Sequence, residues 1–128
     1  METELLACIA KINRDLLIFN INVLGNKCIF STRSQGKTKD YFSTPITFVW
    51  YFKWEEPEIK HEMTFEIWKD KKWRLRSEHN TNEKYDFANP LKGEFIFDYS
   101  FETVSEMINA TEKTKEEFLA TLKERIQL

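Results

Sequence analysis

The chain has 128 residues, with 19 Lys and Arg against 21 Asp and Glu, for a formal net charge of −2. That balance excludes capture of nucleic acid by overall charge, and the length makes one domain, residues 1–128, the simplest organisation. No apolar run approaches the roughly 18 residues that a membrane-spanning helix needs.

Phe, Trp and Tyr make up 15% of the residues, so the core or a binding surface is rich in rings. The opening residues lack the basic-then-apolar pattern of a secretion signal. With only Cys8 and Cys28, the chain reads as a reduced, cytoplasmic protein with two buried thiols.

In chain order, Leu5, Leu6, Ile9 and Ile12 recur at helical spacing behind Thr3, a suitable N-cap, which predicts a short helix over 3–12. Residues 16–24 alternate instead: Leu17, Phe19, Ile21 and Val23 against Asn20 and Asn22. This predicts a strand, Gly25-Asn26 a hairpin turn, and 27–32 the return strand with Cys28 and Phe30 inward. Residues 33–40 are polar and read as a loop.

Pro45 to Trp54 is the strongest strand signal. Ile46, Phe48, Trp50, Phe52 and Trp54 share one wholly apolar face, as expected of a central strand. Pro57 and its neighbouring carboxylates end it. Residues 62–69 follow as a strand with Met63, Phe65 and Ile67 on one face and Trp68 on the other. Asp70-Lys71-Lys72 turns the chain. Residues 73–77 return with Trp73 and Leu75 inward, and Arg74 and Arg76 outward, within reach of Glu66 across the hairpin.

Residues 78–89 read as a polar loop pinned by Tyr85 and Phe87. Residues 93–99 form the last strand, with Phe95, Phe97 and Tyr99 on one side. Ser100 then caps a short helix carrying Val104, Met107 and Ile108. Thr114-x-x-Glu117 fits a capping box, opening a helix with Phe118, Leu119, Leu122 and Ile126 as its apolar stripe. The sum is an α+β fold: a single antiparallel sheet of about six strands, a short N-terminal helix, and C-terminal helices packed on one face. If residues 4–12 were a strand instead, a seven-strand barrel like the pleckstrin-homology module would be the alternative.

Catalytic signatures are scarce. Gly36-Lys37-Thr38 ends like a phosphate loop, but Ser31 stands where the first glycine belongs. His61 and His79 each neighbour a carboxylate, and acid–base work would require the rings to converge; two solvated histidines are the expectation. Nothing nominates a full ligand set for a metal, or a cofactor. Lys27 precedes Cys28 but points to the opposite face of a strand, so neither thiol is marked as a nucleophile. The basic stretches 33–39 and 69–76 read as a solvated loop and a blunted hairpin, so nucleic acid is not the expected partner.

Acidic residues carry the clearer signal. Glu94, Asp98, Glu102 and Glu106 fall within a segment without Lys or Arg, and Glu55, Glu56, Glu58 and Glu62 cluster around the turn after the aromatic strand. With Tyr51 and Trp54 beside them, they form a candidate surface for a basic partner protein. The sequence thus suggests a non-enzymatic protein-binding module, for example an immunity protein or inhibitor neutralising a toxin nuclease. The alternative is a small-molecule-binding domain, with or without catalysis. Its apolar cavity would lie between a curved sheet and the C-terminal helix, with His61, His79, Tyr51 or Tyr85 as its polar groups.

Overall fold

A computed structural model of the chain describes residues 2–35, 46–83 and 90–126. The Gly36-Lys37-Thr38 segment, Tyr41, Phe42, Tyr85 and Phe87 lie outside them. The element order is α1 (Glu2–Asn22), β1 (Ile29–Gln35), β2 (Ile46–Glu55), β3 (Ile59–Lys69), β4 (Trp73–Glu83), β5 (Pro90–Phe101) and α2 (Val104–Ile126). The five strands form one open antiparallel meander in the order β1-β2-β3-β4-β5. The fold is α+β as expected, with five strands rather than six. An open sheet preceded by a helix sets aside the barrel alternative. The strand at the middle of the sheet is β3, and the aromatic strand β2 lies beside it.

Of the two strands expected near the N-terminus, the return strand over 27–32 is present as β1 and the strand over 16–24 is not. Residues 16–22 of that segment continue α1 instead. Leu5, Ile12 and Leu16 are all buried, and Asn20 and Leu24 extend the same 3.6-residue stripe. The alternation at 17–23 is real, but Asn20 is not on a wet face: its side-chain amide donates to the Cys28 carbonyl at 3.2 Å. Gly25-Asn26 turns no hairpin. Both residues have positive φ, 59° and 60°, and they end the helix. A left-handed backbone serves a helix terminus as well as a type I′ turn, so the dipeptide alone does not discriminate.

The sheet is longer than its apolar pattern suggests. Expected as a loop from residue 78, the chain instead continues β4 to Glu83, because its inward positions there, Ser77 and His79, are polar yet buried. At the C-terminus one helix replaces two. The Glu106 amide donates to the Thr103 hydroxyl at 3.2 Å, so Thr103 is the cap rather than Ser100. Thr114 sits mid-helix, with its hydroxyl turned back onto the Ala110 carbonyl at 2.7 Å.

Both helices cover one face of the sheet. Phe118 of α2 meets Phe52 and Phe65 with ring centroids 5.7 and 5.4 Å apart, and all three are fully buried. The rings of β2 are therefore mortar between layers, as the alternation implies. The Trp50 indole N–H also donates to Asn13 of α1 at 3.3 Å. The helices are tied together by Lys115 of α2, which reaches Asp15 of α1 at 2.5 Å and Glu112 at 3.0 Å. No helix among the described residues is long and apolar enough to cross a membrane. Cys8 and Cys28 are free thiols; burial pushes Cys8 upward and Cys28 up to about 11, away from the thiolate form.

Candidate functional site

The face of the sheet opposite the helices holds a cleft of about 290 Å³, lined among others by Arg33, Tyr51, Glu62, Glu66, Trp68 and Glu78. Period-two alternation explains its composition. The odd positions of β2 and the even positions of β3 and β4 point away from the helices, and there the sequence carries Thr, Glu, Arg and Asn.

Glu66 lies at the cleft's floor, on the middle strand, between Val49 of β2 and Arg76 of β4 in register. It is only 3% exposed. Its two neighbours on the same face of β3 both donate to it: the Thr64 hydroxyl at 2.5 Å and the Trp68 indole N–H at 2.5 Å. The backbone amide of Glu78 in turn donates to the Thr64 oxygen at 3.2 Å. Two strands thus hold one carboxylate in a fixed orientation.

Around this floor the charges are uneven. Burial first, and then the charge of Glu66, hold the Glu78 carboxyl above the usual carboxylate range. Burial, with the Glu62 charge next, pushes the Tyr51 phenol above its usual value. The Arg76 guanidinium lies over two rings, 4.9 Å from the Trp68 centroid and 4.7 Å from that of Phe95. Phe95 reaches this face because of a β-bulge. Ser77 pairs with Phe97 but Glu78 pairs with Phe95, leaving Ile96 as the extra residue. The expectation that Phe95, Phe97 and Tyr99 share a side fails at that bulge.

The histidines also depart from expectation. His61 and His79 converge, with Nδ1 of His61 3.0 Å from Nε2 of His79, and His79 is buried. Trp54 stacks on His61 at 4.7 Å between centroids, nearly parallel. Neither histidine uses its sequence neighbour: His61 Nε2 meets Glu56 at 3.0 Å, and Arg125 of α2 meets His79 Nδ1 at 3.0 Å. Arginine only donates, so His79 carries its proton on Nε2 and passes the bond to His61 Nδ1. His61 then donates from Nε2 to Glu56. The array joins the end of the sheet to the end of α2 through Arg125, which also pairs with Glu94. Among the described residues, no group of three or more His, Cys, Asp or Glu side chains is arranged to hold a metal ion.

The acidic residues expected to form one partner surface are divided by this geometry. Tyr51 and Glu62 line the cleft. Glu55, Glu56 and Glu58 are exposed around the β2–β3 turn. Trp54 is 8% exposed beneath His61, on the helix side. Glu94 is engaged by Arg125. Asp98 is on the open face, 3.4 Å from Arg74 and 3.8 Å from Arg76. Glu102 and Glu106 stand at the opposite end of the sheet, where Lys72 pairs with Glu102 at 3.0 Å. The two acidic clusters therefore do not converge. Where Phe118 of α2 meets Phe52 and Phe65 the rings touch and leave no cavity, a groove of about 600 Å³ runs between β5 and α2 along Tyr99, Phe101 and Lys113, and the polar cleft lies on the other face. Glu66, Glu78 and Arg76 were not expected as site residues. The sequence signal for them is the Thr-x-Glu-x-Trp spacing of β3, which places a carboxylate between two donors on one face.

Comparison with protein-family models, curated proteins and solved structures finds no match for this chain.

Proposed function

We propose that this protein is a binding module whose working surface is the open-face cleft, and that it takes a small molecule carrying a positive charge, such as an ammonium or guanidinium group. The supporting observation is Glu66. A carboxylate withdrawn from water is costly, and well-packed apolar residues in its place are often no less stable. Glu66 is withdrawn on the side of the sheet away from the main core, at the floor of a cleft. Glu62 and Glu78 add negative charge around it, and the Tyr51 ring, 5.4 Å from the Lys53 ammonium, is already placed against a cation.

A second reading keeps the same charge logic with a larger partner. Glu55, Glu56 and Glu58 project at the β2–β3 turn, next to a groove of about 560 Å³ that shares Glu62 and Asn80 with the cleft. A basic protein, such as a toxin nuclease held by an immunity-type inhibitor, would present a lysine or arginine there. A cytoplasmic setting belongs to the same proposal, since both thiols are free.

Calorimetric titration with a panel of small ammonium and guanidinium compounds, set beside co-purification from the native cell, tests both readings. Saturable binding that Glu66→Gln weakens by about tenfold or more supports the cleft. Cation binding indifferent to Glu66, or none at all with no basic protein recovered, defeats the proposal.

A further inference from the structure

The helix layer is asymmetric. Along α2 the outward positions are charged: Glu112, Lys113, Glu116, Lys123 and Glu124 are all exposed. Along α1 they include large apolar side chains beside Glu4, Lys11 and Arg14. Leu6, Leu17, Ile18 and Ile21 are 42% to 48% exposed, and Val23 just beyond the helix is 42% exposed. A patch of this kind on one helix, beside another helix with an ordinary charged face, marks a covered surface. It also continues into a groove of about 340 Å³ where Leu6 and Ala10 face Phe48 and Trp50.

We infer that this face pairs with α1 of a second copy of the chain, in antiparallel order. The outward stripe is Ala7, Ala10, Arg14, Leu17 and Ile21, a spacing of three and four residues that keeps one seam facing a partner helix. Its first half is small and its second half is large. Turning a second copy end for end sets Ala7 against Ile21 and Ala10 against Leu17, so each bulky side chain meets a small one. A parallel pair would set large against large and leave the alanines apart. The antiparallel order also opposes the two helix dipoles favourably.

Charge selects no other protein. Arg14 is the one charged residue of the stripe, and it is already engaged with Asp15 of its own helix at 3.1 Å. It therefore offers no free acidic or basic pattern for selecting a different protein, and its long side chain leaves the seam at the two-fold axis for water. The extent is modest. A helix of 21 residues is about 30 Å long and, with side chains, about 10 Å wide, so each copy covers on the order of 300 Å². The pair then buries about 600 Å², short of the roughly 1,000 Å² of a stable specific interface, which predicts a weak, concentration-dependent dimer.

Sedimentation velocity of the full chain across a concentration series tests this. The wild type should shift from monomer to dimer, and Leu17→Glu should weaken association by about tenfold or more while circular dichroism stays unchanged. Ala7→Glu and Ile21→Lys should each weaken it alone, and mixing those two variants should restore dimers, because only the antiparallel order brings the new charges together. A wild type that remains monomeric throughout overturns the inference; so does one that instead sediments with phospholipid vesicles. Dimers indifferent to Leu17→Glu, or a mixture that fails to recover, overturn it as well.

Discussion

Replacing Glu66 by leucine separates the two purposes a buried carboxylate can serve. The substitution removes two hydrogen bonds to a charged acceptor, from Thr64 and Trp68, each worth about 1.5–3 kcal/mol. Against that stand the desolvation of a carboxylate at 3% exposure, which costs several kcal/mol, and the burial of a leucine, which contributes about 1.5–3 kcal/mol. Trp68 is only half-buried, so its indole can turn to water, and the Thr64 oxygen keeps the Glu78 amide. The sum lies within about 1.5 kcal/mol of zero.

Urea denaturation at neutral pH measures it, with the midpoint free to move and the slope unchanged. A loss beyond about 3 kcal/mol would refute the reasoning, because Glu66 would then be a structural keystone and not a binding group. The pH dependence adds a second check. Glu78 has a raised folded-state pKa, so between the ordinary carboxylate value and the raised one the folded state binds more protons, and stability falls as pH rises. Glu66→Leu should flatten that slope without abolishing it, since burial remains the larger cause.

Three further outcomes follow from the packing. Phe118→Ala empties the site between Phe52 and Phe65 and should cost about 3–5 kcal/mol in the same denaturation assay; a cost under about 1 kcal/mol would mean the layers are not joined there. At Gly93 an added Cβ would sit 2.7 Å from the Asn80 side-chain oxygen. Gly93→Ala should therefore swing that amide within the cleft, lowering cation affinity in calorimetry with a stability change under about 1 kcal/mol. Lys115 is the first cause of the lowered Asp15 pKa. A depressed carboxylate contributes stability above its unfolded value and loses it as pH falls through the folded value. Lys115→Met should thus cost about 1–2 kcal/mol at neutral pH, and the deficit should shrink in acid, as followed by thermal melts at several pH values.

The strands were legible wherever their inward positions were apolar. Phe48 to Trp54, Met63 to Ile67 and Trp73 to Leu75 each announced their helix-facing side correctly. Legibility ended where an inward position was polar: Ser77 and His79 hid the second half of β4, and Asn20 made the end of α1 resemble a strand. Phe95 was misplaced because a bulge inserts Ile96, and a single extra residue reverses every later assignment of side. The His61–His79 contact depended on cross-strand register, which no local pattern specifies. Glu66 was visible as a residue able to face an arginine across the hairpin. Its burial was not, since burial depends on Val49 and Arg76 arriving from strands on either side.

The most direct test of the cleft is the Trp68 indole proton, observed by nuclear magnetic resonance during titration with a small guanidinium compound. A cation that engages Glu66 must disturb the hydrogen bond from that proton, so its signal should shift in proportion to occupancy, and the Tyr51 ring signals should move with it. An indole signal that stays fixed while the compound binds elsewhere would contradict the account.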